Sequence, residues 1–175
     1  MFRWKAQGIL LPLLFGLWAT GVNADTPDLG VPITESEVQD ITVQANGDGL
    51  PPGQGSVRQG EQLYTQHCMA CHGVGGKGGI NDQLQGGGKP LHEAVEVRTI
   101  GSYWPYAATV FDYVRRSMPY AQPGSLSNDE VYALTAYLLF LNKIVEGDTE
   151  LDAAGLRAVK MPNRTRFFSR YKLPE

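Results

Sequence analysis

An all-α fold built on two crossed helices, with loop-rich terminal extensions, is what this sequence predicts, and three observations predict it. Ser127-Asn128-Asp129-Glu130 has the spacing of a capping box, and Leu126 and Val131 are placed as a hydrophobic staple, so a helix starts at about residue 128. Ser56-Val57-Arg58-Gln59 has the same form and opens another helix that runs to about Cys68. Between them, the stretch 73–88 holds eight glycines, too many for helix or strand.

The chain of 175 residues opens on a secretory leader. Met1–Lys5 is a basic head, Gly8–Ala19 is apolar, and Val22-Asn23-Ala24 offers small residues where a leader peptidase cuts. That run is shorter than the ~20 residues a membrane span requires, so residues 1–24 read as a cleaved signal, with an uncleaved anchor as the alternative. No later stretch is long and apolar enough for a transmembrane span. Formal net charge is −3 and becomes more negative once the leader, with its two basic residues, is removed. That balance argues against nucleic acid as a partner. Six acidic and no basic residues lie in Asp25–Asp48, while six basic and no acidic residues lie in Arg157–Lys172. These segments read as solvated tails lying against each other, or as a patch that steers a partner into place.

The helix from Ser56 places Val57, Gly60, Tyr64 and Cys68 on one face. Gly60 weakens a helix interior by ~1 kcal/mol relative to alanine, which predicts close approach of a second helix. That partner is the segment from 128 to about Val145, with Val131, Leu134, Leu138, Leu141 and Val145 as its stripe, Ala136 and Tyr137 as a neighbouring contact face, and Gly147 as its terminator. A shorter helix is expected from about Ala107 to Ser117. Residues 25–54 are rich in Pro, Gly and acidic side chains, with one helical turn expected after Thr34, whose spacing to Glu37 is that of a cap. Residues 147–175 are a mostly polar extension. The domain is therefore placed at 55–146.

The two cysteines are Cys68 and Cys71, in the run Cys68-Met69-Ala70-Cys71-His72. C-x-x-C-H is the attachment signature for a covalent haem. Two thiols one helical turn apart meet the two vinyl groups of one porphyrin, and the next residue, His72, is carried beneath the iron. With no cysteine left over and no second such motif, one haem c is expected. A thioredoxin-like pair lacks its βαβ setting and leaves His72 unexplained. A zinc site lacks a fourth ligand at suitable spacing. A phosphate loop in the glycine stretch lacks the following Lys-Ser/Thr and the preceding strand. A backbone carbonyl of that glycine stretch is expected to accept the Nδ1 proton of His72.

For the sixth position, Met69 is trapped between the cysteines and His67 is held on the proximal side. Met118, in a loop before the capped helix and stiffened by Pro119, is the leading ligand, with Met161 and His92 as alternatives. Tyr103 and Trp104, within Tyr103-Trp104-Pro105-Tyr106, are placed as hydrogen-bond donors to the haem propionates at its rim, with core packing as the bland alternative. Arg98 is a weaker cationic choice. Met/His ligation closes the iron and suits single-electron transfer. The sequence offers no catalytic constellation of its own beyond this redox group.

These features together resemble class I cytochrome c. Gly49-Leu50-Pro51-Pro52-Gly53, Gly101-Ser102-Tyr103-Trp104-Pro105-Tyr106, Phe111-Asp112-Tyr113-Val114-Arg115-Arg116, Leu126–Tyr137 and Lys160-Met161-Pro162-Asn163 further resemble the cytochrome subunit of Sox-type sulfite or sulfane dehydrogenases. The resemblance covers roughly residues 29–163. It implies Cys68 and Cys71 as covalent haem sites and His72 and Met118 as axial ligands. It also implies a periplasmic location and a molybdenum-cofactor dehydrogenase subunit as electron donor, with a further cytochrome or oxidase as acceptor. Some members carry two haem domains and this chain has one motif, which fits a small sulfite dehydrogenase subunit. A freely diffusing carrier, or a haem enzyme or sensor with an open sixth site, are the competing functions.

Overall fold

The computed structural model describes residues 30–86 and 97–167. The leader 1–24, His92, and the basic residues Arg170 and Lys172 lie outside the described residues. The chain divides into two units, Met1–Ile33 and Thr34–Glu175. The second unit holds α1 (Glu35–Ile41), β1 (Gln54–Ser56), α2 (Val57–His67), α3 (Met69–His72), a 3-10 turn at Val74–Gly76, α4 (Ala107–Ser117), α5 (Asn128–Leu141), β2 (Glu150–Asp152) and α6 (Ala153–Ala158). The fold is helical, as expected, and among the described residues has one two-stranded antiparallel ladder that pairs Gly55 with Leu151.

Each expected cap is present. Ser56 and Ser127 accept from the N–H groups of Gln59 and Glu130, whose side chains return to the cap N–H groups. Thr34 and Glu37 make the same reciprocal pair at the head of α1. Glu130 accepts from both the N–H and the hydroxyl of Ser127, at 2.8 Å each, and those bonds hold its carboxyl below the usual carboxylate range. A group depressed in the folded state adds stability above its unfolded pKa and loses it as pH falls through the folded value. Ser127→Ala is therefore expected to cost about 1 kcal/mol at pH 7 and clearly less at about pH 3, as urea unfolding at the two pH values would measure. An equal cost at both would mean that the ionised carboxylate adds nothing to the cap.

Helices α2 and α5 meet at Gly60. A Cβ there would stand 1.9 Å from the carbonyl oxygen of Ala133 and 2.7 Å from Cβ of Tyr137. The expected close approach is present, but its partner is Ala133 together with Tyr137, not Ala136. Ala136 is buried on another side of α5, whose residues Val131–Leu139 are all buried. The helix thus fills the middle of the molecule and is not merely striped.

Two further expectations are corrected. Helix α5 stops at Leu141, not near Val145, because Lys143 takes a left-handed φ of 59°. The Lys143 N–H then bonds the Phe140 carbonyl and the Ile144 N–H bonds that of Leu139, a Schellman closure with lysine where glycine is usual. The flanks, expected as surface tails, also reach the core. Val43, Leu50, Leu151, Leu156 and Met161 are buried in one cluster with α2, α4 and α5. The two flanks do touch: Arg157 Nε donates to the Gly47 carbonyl at 3.0 Å, and its guanidinium lies 3.9 Å from Asp48.

Candidate functional site

Cys68 ends α2 and begins α3, with φ −120° and ψ −36°. Its N–H bonds the Tyr64 carbonyl at 2.9 Å, while the N–H groups of Cys71 and His72 converge on its own carbonyl at 3.1 and 2.9 Å. One tight turn therefore sets the spacing of both thiols and the imidazole. Neither cysteine is in a disulfide, and both are half-buried. Burial, and then the neighbouring Cys71, push the Cys68 thiol up to about 11.

The glycine stretch folds back on this turn. Gly73 has φ +78°, and a Cβ on it would lie 1.9 Å from the Lys77 carbonyl oxygen; one on Gly79 would lie 2.1 Å from that of Cys71. The Asn81 N–H bonds the Cys71 carbonyl and the Leu84 N–H bonds the Gly76 carbonyl, each at 2.9 Å. The outcome is a carbonyl, that of Asp82, 2.7 Å from His72 Nδ1. A carbonyl only accepts, so Nδ1 carries a proton, and the neutral ring then has its lone pair on Nε2, the form in which histidine binds a metal.

Two side chains hold this loop and a third holds the segment before α4, and side-chain pattern did not single them out for these bonds. The Tyr64 hydroxyl donates to the Gly73 carbonyl at 2.8 Å. Tyr64 is 1% exposed, and burial, with Cys68 beside it, pushes its phenol up to about 12. Asn142, just past α5, donates to the Leu84 carbonyl at 3.0 Å and accepts from the Gly101 N–H at 3.1 Å. Asn163 is 1% exposed and donates to the Tyr103 carbonyl at 2.6 Å. The sequence pattern placed Tyr64 on the inner face of α2 and Asn163 in a matched run, but indicated neither bond, and it did not single out Asn142.

Met118 is the C-cap of α4, half-buried at the edge of the core, with its N–H on the Val114 carbonyl at 3.0 Å. Met161 is 4% exposed inside the core, where it does the gap-filling work of a packed methionine. His67 is exposed at the end of α2. Tyr103 and Trp104 are half-buried just before α4, the helix whose far end is Met118. Trp104 meets the Tyr113 ring edge-on at 5.6 Å and borders a cleft of about 280 Å³ with Asp112, Tyr113 and Arg116. Arg98 is exposed but not free, lying 5.2 Å over the Tyr103 ring.

This donor set fits a covalent haem. Two unpaired thiols and an imidazole with a bare Nε2 share one turn, and a soft thioether stands at the end of α4. Leu63, Met69, Leu84, Trp104, Met118 and Leu126 are half-buried apolar side chains packed against the core.

Comparison with known proteins agrees. The sequence pattern of the family described as Cytochrome c matches residues 57–142. The sulfane dehydrogenase SoxCD from Paracoccus pantotrophus is similar at 40% identity and a TM-score of 0.72, over 82% of this chain and 72% of that one. Thiosulfate dehydrogenases are similar in sequence: that of Stutzerimonas stutzeri at 30% identity over 50% of this chain, and that of Allochromatium vinosum at 25% over 63%. The chain spans only 28% and 38% of the length of those two enzymes.

Proposed function

The chain belongs to the cytochrome c family, and on that premise we propose that it is a periplasmic electron carrier with one haem, serving as the electron-accepting subunit of a molybdenum dehydrogenase for sulfite or a related sulfur compound. The observation that carries the electron-transfer part is the Cys68–His72 turn, with His72 held in its metal-binding tautomer by the Asp82 carbonyl at 2.7 Å. When bound, the haem supplies a reversible one-electron couple. The residues do the rest. Cys68 and Cys71 would anchor the macrocycle, His72 would supply Nε2 to the iron, and Met118 would supply a thioether that, by closing the coordination sphere, disfavours oxygen or gas chemistry. Tyr103 and Trp104 would serve as donors to the propionates.

The sulfur part rests on the likeness to SoxCD, which is long and close enough to extend beyond the haem motif. The likeness to thiosulfate dehydrogenases makes thiosulfate the natural second compound to test. The leader-like sequence of residues 1–24 supports the periplasmic location, the compartment where haem is attached to such motifs.

The test uses native protein isolated at mild salt, with sulfite and then thiosulfate added while haem absorbance is followed. Rapid reduction by sulfite, with a larger subunit co-purifying, is the expected result. A cytochrome that runs alone and is reduced by ascorbate but by neither sulfur compound would overturn the subunit assignment in favour of a freely diffusing carrier.

A further inference from the structure

The segments 97–106 and 158–167 carry four basic residues and no carboxylate, in a chain whose net charge is negative. The fold brings them together around Tyr103. Arg98 lies over the Tyr103 ring at 5.2 Å, and Phe167 meets the same ring edge-on at 5.6 Å. Arg164 lies 4.1 Å over the Tyr106 ring, and the buried Asn163 fixes the two segments to each other through the Tyr103 carbonyl. Arg98, Arg164 and Arg166 are exposed, and half of Phe167 is open to solvent.

This is more than a solvated basic face. Arginine and aromatic side chains are the types enriched where protein partners bury surface, and aspartate and glutamate are the types depleted there. Stacking on Tyr103 and Tyr106 orders Arg98 and Arg164 in advance, so docking costs them less conformational entropy. The positive charge selects a negative partner and speeds the encounter.

We propose that the surface formed by Arg98, Tyr103, Tyr106, Arg164, Arg166 and Phe167 docks an acidic protein surface. That the docked protein is the electron donor rests on the proposed function, because Tyr103 and Trp104 would then join the docking face to the haem rim; the docking itself does not.

The probe is fluorescently labelled poly-L-glutamate, titrated into haem-loaded protein by anisotropy, beginning at about 50 mM salt, where surface charges are weakly screened. Binding that weakens as salt rises is expected. Arg164→Glu should weaken it about tenfold, whereas Arg58→Glu, an equal change of charge on exposed α2, should weaken it less than about threefold. Phe167→Ala should weaken binding while leaving its salt dependence unchanged. Absence of binding by the unaltered protein would overturn the proposal. So would equal losses in Arg58→Glu and Arg164→Glu, which would reduce the effect to net charge. Binding to phosphatidylserine vesicles without binding to poly-L-glutamate would also overturn it, in favour of a membrane surface. Failure of the electron-transfer assignment would show in the sulfite experiment and would leave this titration unchanged.

Discussion

Gly60→Ala is expected to destabilise the protein by about 2 kcal/mol or more, with a fall in Tm of about 5 °C or more. The sign is the informative part. In an exposed helix interior the same change stabilises by about 1 kcal/mol, because alanine has the better helix propensity. Here the new Cβ would stand 1.9 Å from the Ala133 carbonyl oxygen and 2.6 Å from its carbonyl carbon. Those atoms belong to the backbone of a helix that is buried on every side at this level. No flexible side chain can yield, so α2 and α5 must separate by an ångström or so, on the order of the overlap, opening the tightly packed interior. Ala133→Gly should not rescue the variant, since the obstacle is backbone and not the alanine methyl. Thermal unfolding of the single and double variants measures both points. A Tm equal to or above that of the parent would show that the helices do not meet at Gly60. Because α2 ends at Cys68, the separation should also loosen the turn that presents the thiols and His72.

Gly60 also marks how far sequence alone could be followed. A glycine inside an otherwise good helix implied a close neighbour, and the caps at Ser56 and Ser127 fixed where both helices begin. These features are local and carried by side chains, so their spacing is visible without the fold. The end of α5 was not, because Lys143 adopts a left-handed conformation that glycine usually marks, and Gly147 looked the better terminator. The C-terminal flank was misjudged for another reason. Its buried apolar residues are Leu151, Leu156 and Met161, a spacing of five that matches neither helix nor strand periodicity. Strands β1 and β2, at three residues each, are too short to show alternation. At the site, the motif named the cysteines and the histidine. The Asp82 carbonyl that orients His72 could be anticipated only as some backbone oxygen of the glycine stretch, because which one depends on the path of the loop.

Met118→Ala, compared with Met161→Ala, should separate a ligand from a packing residue. The two methionines each precede a proline, so sequence left them as rivals. Their surroundings differ. Met161 is 4% exposed within the core, and its truncation should cost about 2–5 kcal/mol of stability while leaving the haem spectrum unchanged. Met118 is half-buried at the end of α4, with less to lose in packing. Its truncation should abolish the methionine-to-iron charge-transfer absorption of the oxidised protein. The reduction potential should fall as well, within the roughly 0.8 V over which axial ligands tune haem, because a thioether favours the reduced iron. The two variants are read by absorbance, potentiometry and chemical unfolding together. Loss of the absorption in Met161→Ala, with Met118→Ala unchanged, would move the sixth ligand to the C-terminal flank. Absence of the absorption in the parent protein would leave the iron without a methionine ligand and favour the haem enzyme or sensor over the electron carrier. The expected pattern, spectral loss at Met118 and stability loss at Met161, would make α4 the element that sets the potential, with Trp104 at one end and the ligand at the other.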